Sequence, residues 1–178
     1  LPEVELGAPL QPIHVEQNPT GSFTVAAWAK MSGGQGSTRS VVTSRDSIGS
    51  NKRGFFIYAS SSNVWQFWIG AGGIGFFPVT GPAVQLGQWT HLVGRYDSAL
   101  SRMELFVNGV SVASFSPITY VANTARPMRI GAGVTESTAS TLFNGQIDQV
   151  RLYQVTLSNE RGAELVSKTE RAIECGDS

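Results

Sequence analysis

Residues Gly87–Gly109 read GQWTHLVGRYDSALSRMELFVNG. A short alternating run from Trp89 to Tyr96 meets a turn at Asp97-Ser98-Ala99. A second run follows, in which Met103, Leu105 and Val107 alternate with Glu104, Phe106 and Asn108. Period-two alternation marks a strand with two different faces. Asn108-Gly109 closes the stretch, and both residues tolerate the positive φ of a tight hairpin turn. The stretch therefore reads as one hairpin opening into the next. Leu105 and Val107 are expected in the core, and Trp89 is expected to be buried at a sheet end.

Working outward, the same signals recur. Phe23–Met31 is a strand with Phe23, Val25, Ala27 and Ala29 on one face. Further strands are expected at Ser40–Arg45, Gly54–Ser60, Val64–Gly70, Val112–Phe115, Met128–Ile130 and Gly145–Tyr153. Gly- and Ser-rich or polar stretches at 32–38, 46–53, 71–75 and 133–142 punctuate them as loops. The glycines of 71–75 lack the strand-then-helix setting and the lysine of a phosphate loop. Residues 1–17 carry three prolines, which confine that stretch to edge strand or coil. Leu157–Val166 reads as a helix with Ser158 as N-cap. Many short strands and one helix make an all-β sandwich or barrel over residues 1–166, with 167–178 as a C-terminal linker or tail.

Composition narrows the function classes. The chain has 178 residues, enough for one sizeable core, with 41% hydrophobic and 15% charged residues and a formal net charge of zero. That balance excludes a disordered chain and gives no electrostatic case for nucleic acid as partner. No apolar run approaches a membrane span, so membrane insertion is not expected. The single cysteine, Cys175, cannot make an internal disulfide. The absence of an Asn-x-Ser/Thr sequon favours a bacterial source.

The WTHLV and ELFVNG segments, with NPTGSFTVAAWAK (Asn18–Lys30) upstream and MRIGAG (Met128–Gly133) and FNGQIDQVRLYQVTLSNE (Phe143–Glu160) downstream, resemble the laminin-G-like jelly rolls of the concanavalin A-like lectin/glucanase superfamily. The resemblance implies a two-sheet antiparallel β-sandwich with a short C-terminal helix. It also implies an extracellular or cell-surface module of a larger multidomain chain. Such domains often hold one structural calcium at the sandwich rim. Calcium requires six to eight oxygen ligands. The chain has four aspartates and lacks the N-terminal Asp-Gly pair common in the family, so any site would lean on backbone carbonyls. Asp46, in a Ser- and Asn-rich loop, and Asp148, near a strand start, are the candidate carboxylates. Asp148 shares alternation with Val150 and Leu152 and is expected to point inward, paired with backbone N–H groups, Arg129 or Arg151.

Catalytic chemistry is not expected. Retaining glycosidases need two carboxylates about 5–5.5 Å apart, and outside the proline-flanked Glu3 and Glu5 no strand here carries two. The two histidines, His14 and His91, are far apart in sequence, and His91 fits a structural family position. Binding is the better reading. In the aromatic pair GFFIYAS and VWQFWIG, Phe55, Ile57, Trp65, Phe67 and Ile69 belong to the core. Phe56, Tyr58, Gln66 and Trp68 then face outward, joined by His91 or Arg95, Glu104 and Phe106. Aromatic planes beside hydrogen-bonding groups suit a carbohydrate, whose C–H faces stack on rings while its hydroxyls pair with polar side chains. An exposed aromatic set also marks binding surfaces in general. The expected function is a non-catalytic module that binds a glycan. The alternatives are an adhesion module that docks another protein and a spacer without a ligand. The loop rim at 32–38, 46–53, 71–76 and 133–141 is a second candidate surface.

Overall fold

The computed structural model describes residues 18–47, 49–133 and 140–159. The expected N-terminal strand or coil, the tail and nearly all of the expected helix lie outside them. Ten strands follow in order: β1 (Phe23–Met31), β2 (Arg39–Asp46), β3 (Arg53–Ala59), β4 (Val64–Gly70), β5 (Phe76–Ala83), β6 (Trp89–Asp97), β7 (Arg102–Val107), β8 (Val110–Phe115), β9 (Arg129–Ile130) and β10 (Gly145–Tyr153). They form two antiparallel five-stranded sheets. The first has the order β10-β1-β6-β7-β8 and the second β5-β4-β3-β2-β9.

The hairpins are set by local chemistry. Asn108 and Gly109 both have positive φ, 50° and 79°, and join β7 to β8 by the expected two-residue turn. The Asn108 side chain locks that turn to β6 by accepting a hydrogen bond from the His91 backbone N–H at 2.8 Å. Between β6 and β7, Asp97 Oδ1 accepts bonds from the backbone N–H groups of Ala99 and Leu100.

The core lies between the inner faces. Phe23, Val25, Ala27 and Ala29 of β1 and Met103, Leu105 and Val107 of β7 meet Phe55 and Ile57 of β3 and Trp65, Phe67 and Ile69 of β4. At one end Phe23 lies 4.8 Å from Phe55 and 5.0 Å from Tyr120, centroid to centroid. Gly94 is required here: a Cβ at this position would come within 2.5 Å of the Phe67 ring. The sheets close on each other through that ring.

Three expectations need correction, and one strand lies outside the expected set. Phe76–Ala83 is a strand, although Pro78 and Pro82 interrupt its donors. It is tolerated because β5 is an edge. β8 starts at Val110, two residues earlier than the alternation suggested. Trp89 is only half-buried: it pairs with Lys30, out of phase with the inward Thr90 and Leu92, so it belongs to the outer face. Asp148 does not point inward. Gln149 takes a left-handed φ of 48° where β10 slips register against Ala26 and Trp28. Ile147 and Val150 therefore both face the core side, while Asp148 is exposed and accepts a bond from the Gln149 backbone N–H.

Candidate ligand-binding face

The outer face of the second sheet is built by cross-strand register. Phe56 pairs with Thr43 on one side and with Trp68 on the other, and Tyr58 pairs with Gln66. Directly paired residues project to the same side of a sheet. Alternation adds Arg45 from β2, Phe76 and Thr80 from β5, and Arg129, the partner of Thr43, from β9. Trp68 stacks on Phe56 at 5.5 Å, Tyr58 lies 4.4 Å from Phe56, and Phe76 meets it edge-on at 5.1 Å. The Arg45 guanidinium sits over both the Phe56 and Phe76 rings, at 5.4 and 5.0 Å, and donates to the Tyr58 hydroxyl at 3.5 Å. Cation-on-ring contacts of this kind help to hold the guanidinium in place.

The polar groups on this face are oriented too. The Trp68 indole N–H donates to Gln66 Oε1 at 3.2 Å, and Gln66 Nε2 donates to the Thr80 hydroxyl at 3.0 Å. Thr43 Oγ1 is buried without a hydrogen-bond partner. Phe56 and Tyr58 are themselves buried, so they form a floor, whereas Gln66, Trp68, Arg45 and Arg129 keep accessible surface. Asp46 is the only carboxylate on the strands of this sheet, and its place in the alternation, next to Arg45, puts it on the opposite face. The face therefore combines two guanidinium groups, four aromatic side chains and an oriented amide, with no acidic side chain from its strands.

Arg95, Glu104 and Phe106 do not belong to this surface. They lie on the outer face of the first sheet, on the other side of the sandwich. Alternation shows which residues share a face within a strand; it does not reveal which sheet a strand joins. On that side Arg95 is bound to Glu104 at 2.6 Å and lies 4.8 Å over the Phe106 ring. Its other amino group donates to the Leu157 carbonyl and to Asn159 Oδ1. Thr24 fixes the same segment by donating to the Val155 carbonyl and accepting from the Leu157 N–H. Residues 154–159 thus form a strap over this face, and Arg95 is its clamp. Burial acts to raise the Glu104 carboxyl. The hydrogen bonds from Ser111 and Arg95 and the neighbouring guanidinium charges outweigh it and hold the carboxyl below its ordinary value. His91 is on this face as well, 5.1 Å from Trp28. Burial and then the Arg151 charge bring its pKa down to about 4.

The two carboxylates expected to hold calcium are not brought together. Asp46 ends β2, pairs in register with Arg53 and lies 4.0 Å from Arg126 Nε. Asp148 points outward from β10 in the other sheet. Among the described residues no three His, Cys, Asp or Glu side chains cluster as metal ligands. As placed, these residues do not fit a calcium ion. Arg45, Thr43, Phe76, Thr80 and Arg129 are the members of the face that sequence reasoning missed. Pairing Ser40–Arg45 against Gly54–Ser60 would have pointed to Thr43 and Arg45, but a bulge at Val41 hides the register.

A family model described as the concanavalin A-like lectin/glucanase superfamily matches residues 8–161. No curated protein sequence matches the chain. Among solved structures, the chain is similar to the CBM40 of Ruminococcus gnavus IT-sialidase bound to α2,3-sialyllactose. The TM-score is 0.72 at 14% identity, covering 93% of this chain and 96% of that one. It is also similar to the heptameric SAP-like pentraxin of Limulus polyphemus, with a TM-score of 0.61 at 15% identity over 91% of this chain and 79% of that one. A third likeness is to the binding domain of botulinum neurotoxin DC in complex with SialylT, with a TM-score of 0.58 at 13% identity over 83% of this chain and 35% of that one.

Proposed function

Because the chain belongs to the concanavalin A-like lectin/glucanase superfamily, we propose that it is a non-catalytic carbohydrate-binding module whose ligand lies on the outer face of the second sheet. The observation that carries this reading is the chemistry of that face: Phe56, Tyr58 and Trp68 as ring surfaces, with Arg45 and Arg129 as diagonal neighbours. Rings accommodate the C–H faces of a sugar. Guanidinium groups pair with a carboxylate through two parallel N–H···O bonds. The ligand class is therefore an acidic glycan, one whose terminal sugar carries a carboxylate. The crystallised likenesses in complex with sialyllactose and SialylT support this choice. Such a module acts at an extracellular or cell surface, on a glycan of another cell or protein. No helix among the described residues is long and apolar enough to cross a membrane.

Titration of the chain with 3′-sialyllactose, followed by NMR shift changes or calorimetry, tests the reading, with lactose as the neutral control. The acidic trisaccharide is expected to bind and lactose to be silent. Trp68→Ala and Arg45→Gln are each expected to weaken binding at least about tenfold, the equivalent of ~1.4 kcal/mol, with folding retained. No binding to any acidic saccharide, or binding indifferent to both substitutions, would remove this face as the site.

A further inference from the structure

The outer face of the second sheet changes character along its strands. Charge lies toward one end. Arg45 of β2 pairs with Gly54, and Phe76 of β5 pairs with Gly70. Carrying the Phe56–Trp68 register two residues further sets those two glycines side by side. Neither has a side chain, so a channel runs from Arg45 to Phe76. The Arg45 guanidinium crosses it and comes within 5.0 Å of the Phe76 ring centroid. Toward the other end Gln66 pairs with Thr80. Thr80 lies four residues beyond Phe76 on β5, ~13 Å at the ordinary rise of a strand and longer than one sugar ring.

Between the two ends Trp68 pairs with Pro78. Directly paired residues share a face. The half-buried indole and the exposed proline ring therefore lie side by side at the open edge of the sheet. Gln66, Trp68, Pro78 and Thr80 make an uncharged strip along β4 and β5. Its polar groups are oriented. An indole N–H can only donate, so its bond to Gln66 Oε1 fixes which end of the amide faces Trp68. The amide nitrogen then donates to the Thr80 hydroxyl. One amide N–H and the Thr80 O–H are left without a partner among the described residues. Resting on the reading of this face as an acidic-glycan site, we infer that the strip is a second subsite, for the uncharged sugar next to the acidic one. The acidic sugar lies at the Arg45 end. Its neighbour packs a C–H face on Trp68 and Pro78, and its hydroxyls take the two oriented donors. The strip offers no cation to a second acidic sugar, so an uncharged one is the class it takes. The ligand is a disaccharide or longer and runs along β4 and β5 rather than across the sheet.

Calorimetric titration of the intact chain with two ligands tests this. The methyl α-glycoside of N-acetylneuraminic acid carries only the acidic sugar; in 3′-sialyllactose a galactose follows it. The trisaccharide is expected to bind about tenfold more tightly, the worth of one or two net hydrogen bonds. Thr80→Val and Gln66→Met, each with folding retained, are expected to bring that ratio toward parity. Arg45→Gln is expected to weaken both ligands and keep the ratio. In saturation-transfer NMR the galactose protons of the bound trisaccharide should receive saturation along with those of the acidic sugar. Equal affinities in the parent, a ratio unmoved by both variants of the strip, or saturation confined to the acidic sugar would each overturn the second subsite. Weakening of both ligands by Arg45→Gln would still uphold the acidic-glycan reading in those cases. No binding of either ligand would remove both.

Discussion

His91 has only 3% of its surface exposed, and its Nδ1 is buried without a hydrogen-bond partner, as is the indole nitrogen of Trp28 beside it. A ring held this way is stable neutral and costly to protonate. Its pKa is about 4 in the fold against 6.5 in an unfolded chain. A depressed pKa means that the stabilisation is complete above pH 6.5 and is lost as the pH falls toward and through 4. The loss approaches about 3 kcal/mol over that interval. Glu104 is also held low, but its contribution fades only below the ordinary carboxyl value of 4.5. The window between 6.5 and 4.5 therefore belongs to His91. Urea unfolding of parent and His91→Gln across pH 7.5 to 4.5 is expected to give a falling stability for the parent and a flatter line for the variant. Parallel lines would show that another group controls the acid limb. At Gly94 the constraint is steric. Gly94→Ala is expected to cost roughly 1–3 kcal/mol, the usual range for overpacking a filled core, measured by denaturant unfolding. A loss below about 0.5 kcal/mol, the range of indifferent surface changes, would mean that Phe67 can move aside.

Between strands, the Arg95–Glu104 pair is the most consequential contact outside the core, because it also holds the strap of residues 154–159. Removing Arg95 leaves Glu104, in a largely buried place, with only the 3.4 Å contact of Arg102 and the hydrogen bond from Ser111. Arg95→Ala is expected to cost on the order of 3 kcal/mol and to speed amide exchange at Leu157, whose N–H now bonds Thr24. Unchanged exchange there would show that Thr24 alone holds the strap. Strand alternation was legible wherever a strand kept its phase: β1 and β4 have the bounds read from sequence, and the inward sets of β1, β3, β4 and β7 are the core. The reading failed where phase was broken. A left-handed Gln149 leaves no mark in composition, and it turned Asp148 from the core to the surface. β5 was hidden by its prolines, and with it Phe76. Of the proposed site, Phe56, Tyr58, Gln66 and Trp68 were readable from two neighbouring strands. Arg45 and Arg129 were not, because their place depends on pairings across a bulge and across a long connection.

For the molecule as a whole, the arrangement of charge bears on calcium. Asp46 already faces Arg53 and Arg126, and Asp148 is spent on its own backbone in the other sheet. Thermal melts in EDTA and in millimolar calcium at equal ionic strength are therefore expected to superimpose. A calcium-dependent rise in melting temperature, the signature of an ion that binds only the native state, would place one at the rim on backbone carbonyls. The strap has a consequence for how the protein can be handled. Its last described residues lie on the first sheet, and the proposed sugar face is the outside of the second, with the full thickness of the sandwich between them. A tag, a bead or a fluorophore attached just past Asn159 would start from the rear of the module, and the guanidinium and ring surface would look away from the support.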